Sequence, residues 1–210
     1  NILSGLHSLG GKPDMVMIES LIQLDPVFAD FSYEGIPDLR IIVLKGYPIM
    51  AMLRLTTHAS DGKANLHQGA VGVGIDTGTG RALHAVHYGA PVSYHPDTRK
   101  TFSDLVVPHW DKLLRLAAAC YEMTGLGYLG VDIVLDRDQG PMIIELNARP
   151  GLSIQVANFA GLAPRVAAIE ALKNIEPDPQ LRVIFSQQQF SAEPGRYPPR
   201  QLRTRSTDSP

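Results

Sequence analysis

The segment that most limits how this chain can fold is "GVDIVLDRDQGPMIIELNARPG", residues 130–151. Two short β-branched runs, "VDIVLD" and "PMIIEL", flank the polar turn Arg137-Asp138-Gln139-Gly140, which is the pattern of a β-hairpin. With Asp138-Gln139 as a two-residue loop, Arg137 pairs with Gly140, and counting outward sets Asp132 opposite Glu145. Side chains alternate faces along a strand, so Val131, Ile133, Leu135, Met142, Ile144 and Leu146 form one apolar face. Asp132, Glu145 and Asn147 share the other. Opposed Cβ atoms lie about 5 Å apart, and like charges there destabilise the pair. Something must offset that repulsion, and three readings are open. One is an ordinary hairpin with a polar solvent face. Another is a carboxylate dyad for general acid–base work, one pKa raised by the other. The third is a cation site, because one or two carboxylates plus substrate phosphates suit Mg²⁺ or Mn²⁺. The following "ARPGLSIQ" adds a cation, a Pro-Gly turn and an amphipathic run.

Composition excludes several classes. The 210 residues are 44% hydrophobic and 19% charged, with net charge −2, enough apolar matter for a sizeable core. That near-neutral balance argues against a nucleic-acid binder, which usually carries a basic surplus. No run approaches the 18 or so apolar residues of a membrane span. The single cysteine, Cys120, lies on the apolar stripe of "LLRLAAACYEM" and reads as core packing, pointing to a reducing compartment and a cytoplasmic location.

Along the chain, "DMVMIESLIQ" (14–23) reads as a strand, and "DLRIIVLKGYPIMAMLRL" (38–55) as two strands joined at Lys45-Gly46-Tyr47-Pro48. The Gly-rich stretch 57–86 carries a hairpin turn at Asp76 to Gly80. Apolar residues at 110, 113, 114, 117, 120 and 121 have helical spacing, ended by Gly125 or Gly127. A helix near 161–173 follows the 130–151 hairpin. Clustered strands with few helices predict an α+β fold, a mainly antiparallel sheet with flanking helices. Residues 175–210 hold six prolines and five arginines and read as a disordered tail, setting domain bounds of 1–174 and 175–210.

The order of three motifs resembles a known family. "GVDIVLD…MIIELNARPG" looks like the metal-binding end of ATP-grasp ligases. "PDLRIIVLKG" with the later "GKANLHQGA" resembles the middle of their glutamate-adding branch, and the nearest resemblance is to alpha-L-glutamate ligase-like proteins. It covers roughly residues 1–173. The resemblance implies that Glu19 and Ser20 in "MIESLI" meet the adenine edge and that Asp38 is an acidic nucleotide contact beside Arg40. It implies that Lys63, Ala64 and Asn65 lie over the phosphates, and that Asp132, Glu145 and Asn147 hold Mg²⁺ or Mn²⁺. Arg54, His67 and Arg149 are candidate clamps for a phosphate or acyl phosphate, with Arg54 and Arg149 as the catalytic candidates. It further implies an N-terminal part preceding Asn1 that carries a strand-borne lysine, for which Lys12 in "GGKPD" is a poor substitute.

The implied activity is an ATP- and Mg²⁺-dependent carboxylate–amine ligase working through an acyl phosphate. It would add glutamate or another amino acid to a peptide or small acceptor. Phosphoryl transfer needs positioning and charge neutralisation more than covalent help, which suits arginines and metal-bound carboxylates. The Gly-rich run at 69–80 would let backbone approach the nucleotide or move as a cover. Another ATP-grasp chemistry, a nucleotide-binding module without turnover and a metal-dependent hydrolase are the alternatives.

Overall fold

The structure is a computed structural model and describes residues 3–6, 11–12, 15–16 and 18–192. Seven strands form one sheet: β1 (Asp38–Leu44), β2 (Tyr47–Leu55), β3 (Val71–Ile75), β4 (Ala82–His87), β5 (Ala90–Pro91), β6 (Tyr128–Asp136) and β7 (Gly140–Asn147). Their order is β5-β4-β3-β2-β1-β6-β7, and every neighbouring pair is antiparallel. Four helices flank it: α1 (Trp110–Thr124), α2 (Ser153–Asn158), α3 (Ala163–Glu170) and α4 (Pro179–Phe190). This is the expected α+β architecture.

Period-two alternation divides the sheet between two cores. Leu39, Ile41 and Val43 of β1, Ala51, Leu53 and Leu55 of β2, and Val131, Ile133 and Leu135 of β6 face α1, whose Leu113, Leu114, Ala117 and Cys120 cover them. Burial pushes the Cys120 thiol up, as suits a packing residue. Helix α1 ends where Gly125 takes φ 69°, a left-handed C-cap that glycine adopts without strain. On the other face Ile42, Leu44, Met50 and Met52 pack against Ile154 and Ala157 of α2 and against Leu162 and Ile169 near and in α3. That apolar row stops at Ile42. Beyond it the same face carries Arg40 and Asp38.

Strand β3 has room for α2 because of its composition. In "VGVGI" the valines and Ile75 face α1, leaving Gly72 and Gly74 on the α2 side. A Cβ on Gly74 would stand 2.5 Å from the carbonyl oxygen of Ala157, and one on Gly72 would stand 2.8 Å from Leu66 Cδ2. These glycines seat α2 and Leu66.

Three expectations are corrected. Among the described residues of 14–23 there is no strand; residues 14 and 17 lie outside the described set. Its end meets the end of β6, where Gln23 O accepts from Arg137 N at 2.8 Å and the next residue, Leu24, bridges to Asp136, while Ile18 is 90% and Leu21 83% exposed. The 175–210 tail is not uniformly without structure. Asp178 caps α4 by accepting from Gln180 N at 2.8 Å, Val183 is buried in the α1-side core and Phe190 in the other. Buried Arg182 holds α4 to the Gly46 carbonyl and to Glu122 of α1. Residues 193–210 lie outside the described set. Among the described residues no helix is long and apolar enough to cross a membrane.

The third correction concerns the 130–151 hairpin. Its loop has three residues, because Asp136 pairs with Gly140, and that shifts Ile133 opposite Ile143 and Val134 opposite Met142. A β-bulge between those pairs and the next inserts Ile144 and restores Asp132 opposite Glu145. Met142 and Ile144 therefore leave the apolar face assigned to them, and Ile143 joins it.

Candidate functional site

The polar end of the α2-side face is an ion network built across three strands. Asp38 and Arg40 are two apart on β1, Arg54 pairs with Asp38 across β2, and Asp132 pairs with Arg40 across β6. Arg40 donates Nε to Asp132 Oδ1 at 2.7 Å and Nη2 to Oδ2. Arg54 donates Nη2 to Asp132 Oδ2 at 2.9 Å and a two-pronged pair to Asp38. Asp132 is 1% exposed and Asp38 6%. Burial pushes the Asp38 carboxyl up, while the Arg54 guanidinium pulls it back down. Two acids and two bases thus neutralise one another on a nearly dry surface.

The repulsion expected between Asp132 and Glu145 is therefore offset by guanidinium within the structure. Asn147 joins them: with its amide nitrogen towards Glu145, it donates to Oε1 at 3.1 Å while its oxygen accepts from Arg40 Nη2 at 3.3 Å. Asp132, Glu145 and Asn147 share one face of the sheet, as the pairing requires. Among the described residues no group of three or more His, Cys, Asp or Glu side chains gathers around a vacant centre.

Above the arginines lies a cavity of about 270 Å³ lined by Arg40, Arg54, Ala64, Asn65 and His67, with Met52, Leu66, Gly151 and Ser153 completing it. Two local devices bring its roof over the sheet. Asn65 caps a 3-10 turn at Leu66–Gln68 by accepting from His67 N at 3.0 Å. The loop after β7 folds back because Gly130 has no side chain; a Cβ there would stand 2.7 Å from Pro150 Cβ.

The predicted residues divide accordingly. Arg54, Ala64, Asn65 and His67 meet at the cavity, and Asp132, Glu145 and Asn147 lie beside it. Asp38 supports Arg54 from below without lining the cavity. Lys63 is exposed and pairs with Asp61 at 3.4 Å. Arg149 is exposed, two residues from the lining Gly151, and Glu19 and Ser20 are exposed in the segment before Leu24, outside the lining. The role of Arg40 as clamp of Asp132 escaped the sequence reading. Its signal was present: an i, i+2 acid–base pair on one strand opposite acids and bases on its neighbours.

A seven-stranded antiparallel sheet with helices on both faces, carrying an arginine–carboxylate cluster and the "ELNARPG" loop at one end, is the arrangement of an ATP-grasp protein. More narrowly, the model of the sugar-transfer associated ATP-grasp family matches residues 1–171, and the chain belongs to that family. No curated protein matches the chain in sequence. Among solved structures, the ATP-grasp ligase PsnB complexed with a minimal precursor is similar at 14% identity over 73% of this chain, with a TM-score of 0.36. This chain spans 35% of that one.

ATP-grasp proteins as a class use ATP and divalent metal ions. The donor types here suit a hard cation: two carboxylates and an amide oxygen on one face, beside the arginine-lined cavity. Glu145 is its accessible member, since both oxygens of Asp132 already accept from arginine and the Asn147 oxygen accepts from Arg40.

Proposed function

We propose that the chain is the metal and phosphate side of an ATP-dependent ligase that joins a carboxylate to an amine, adding glutamate or another amino acid to a peptide or small acceptor. The observation that supports this reading is the cavity floored by Arg40 and Arg54 next to Glu145 and Asn147. In this reaction a carboxylate oxygen attacks the γ-phosphorus of ATP and the terminal P–O bond to ADP breaks. The amine then attacks the acyl carbon, phosphate leaves with the C–O electron pair, and the amine loses a proton. Mg²⁺ held by Glu145 and Asn147, with Asp132 behind them, would neutralise phosphate charge when bound.

The chain's own residues supply orientation and exclusion of water. Arg54, fixed by Asp38 and Asp132, presents a guanidinium whose angle is set before substrate arrives, which is the preorganisation that electrostatic catalysis needs. In this reading Arg149, on the loop that folds over Gly130, would meet the acyl phosphate, and Lys63 the nucleotide phosphates. Asn65 and His67 roof the cavity and would shield an acyl phosphate from water. A nucleotide-binding module without turnover is the second reading, favoured by one observation: both guanidiniums already have carboxylate partners.

The test is ADP formation against a panel of amino acids and peptides. Turnover should require both a carboxylate and an amine. Glu145→Gln should cut it about a hundredfold, the scale of losing one charge contact at the transition state. ATP-independent hydrolysis of a panel member, abolished by the same substitution, would overturn the ligase reading. ATP binding without ADP would favour the module.

A further inference from the structure

A second cavity, of about 350 Å³, opens off the first. Leu66, His67 and Ser153 line both, so the two form one trough. Its far end is walled by Val86 of β4, by Tyr88 and Gly89 in the turn after it, and by Val156 of α2. The character of the lining changes along its length, from Arg40, Arg54 and Asn65 to aliphatic and aromatic carbon.

The apolar end is built, not incidental. Tyr88 and Gly89, at φ 50° and 77°, form the two-residue hairpin turn between His87 and Ala90, which needs left-handed backbone at both positions. The surroundings then fix the ring. The His87 ring lies tilted against Tyr88 with centroids 4.5 Å apart, and His87 Nε2 lies 3.0 Å from the Gly69 carbonyl oxygen. Gly69 leaves space for the tyrosine: a Cβ there would stand 2.4 Å from Tyr88 Oη. Yet Tyr88 is 64% exposed and Val156 48%, so the wall is fixed in place with its carbon still uncovered. Scattered surface apolar residues need no explanation, but a concave pair continuous with a charged cavity has the layout of a ligand site.

From this we propose that the pocket between Val86, Tyr88 and Val156 takes the apolar side group, branched aliphatic or aromatic, of the carboxylate-bearing substrate whose carboxylate lies at Arg40 and Arg54. The proposal rests on the ligase reading for the word substrate, and on the trough alone for the ligand's shape: an anionic head and an apolar group a few bonds away. Room is sufficient, since an engineered cavity of about 150 Å³ already admits benzene. Glutamate itself offers no apolar group, so the proposal also says that the activated carboxylate belongs to a more apolar partner.

The probes are propionate and 3-phenylpropionate, which share a carboxylate and differ by a phenyl ring, titrated into the full chain with amide chemical shifts as readout. The aryl acid should bind at least roughly tenfold tighter, the scale of burying an aromatic ring, with shifts at Val86, Tyr88 and Val156. Val156→Asn makes the wall polar without adding charge, and Val156→Trp fills the pocket. Each should shrink the difference below about twofold while propionate affinity stays unchanged. Val156 is half-exposed, so both variants should fold, and their melting temperatures check it. Equal affinity for the two acids, no binding of either, or undiminished preference in both variants overturns the proposal. The reaction is read separately: phenyl preference without ADP formation keeps the pocket and loses the ligase, and ADP formation without preference does the reverse.

Discussion

Asp132 and Asp136 lie four residues apart on one strand and are stabilised in different ways. Asp132 is buried beneath two guanidiniums, where removing a single partner from such a network typically costs about 3–5 kcal/mol because a charge is left unpaired. Asp136 is held by backbone. It accepts from Gln23 N, Asp138 N and Gln139 N, each at 2.8 Å, and these bonds hold its carboxyl below the usual carboxylate range. A folded pKa below the unfolded one means stability that is present above the unfolded value, near 4, and is lost as pH falls through the folded value. Asp136→Asn should therefore lower the melting temperature fully at pH 7 and progressively less below about pH 4. Thermal unfolding at pH 7 and pH 3 reads this directly, and an equal deficit at both would mean that charge is not what pins the loop. The same residues show what a sequence can carry. The opposition of Asp132 and Glu145 was legible because period-two alternation and a turn fix a hairpin's faces. What neutralises them was not, because Arg40 and Arg54 reach Asp132 across strands 92 and 78 residues away in sequence.

At the scale of elements, strands and helices with strong periodicity are where expectation and structure agree: β1, β2 and α1 stand where their alternation or 3.6-residue spacing placed them. The misses have separate physical causes. In the β6–β7 hairpin an added loop residue and an added strand residue cancel, so the final pairing was right although the path to it was wrong. Segment 18–23 has strand composition but meets the sheet at its last residue, Gln23, and forms no strand. Helix α4 was hidden by its context. Its prolines suggested disorder, yet Pro179 sits in the first turn, where a missing N–H costs nothing. Two buried apolar side chains then decide the matter. Val183 and Phe190, at about 1.5–3 kcal/mol each, contribute roughly 3–6 kcal/mol, which is a large share of an ordinary domain's 5–15. A chain ending at Asp178 should thus melt roughly 10 °C or more below the full chain. An unchanged melting temperature would return the segment to the status of a tail.

Across the whole molecule, the sheet separates structural and chemical work by face and by end. The α1 side is mainly apolar. The α2 side is apolar under the helices and ionic beyond Ile42, so the site borders the core. That placement allows a test of binding independent of turnover. A ligand that binds only the folded state raises stability by RT ln(1 + [L]/Kd), about 2.7 kcal/mol at a hundredfold excess over Kd. For a chain of this size that corresponds to a rise of roughly 5–10 °C. ATP and Mg²⁺ together should produce such a rise, and either alone a smaller one, because the ion and the phosphates complete each other's coordination at Glu145 and Asn147. Glu145→Gln should remove most of the joint effect while leaving the ligand-free melting temperature nearly unchanged, since Glu145 is exposed and Asp132 keeps its arginines. Arg149→Ala should leave the ATP-dependent rise intact if that side chain serves the acyl phosphate. No shift at millimolar ATP and Mg²⁺ would count against the nucleotide site. A shift that survives Glu145→Gln would place the ion elsewhere on the same face.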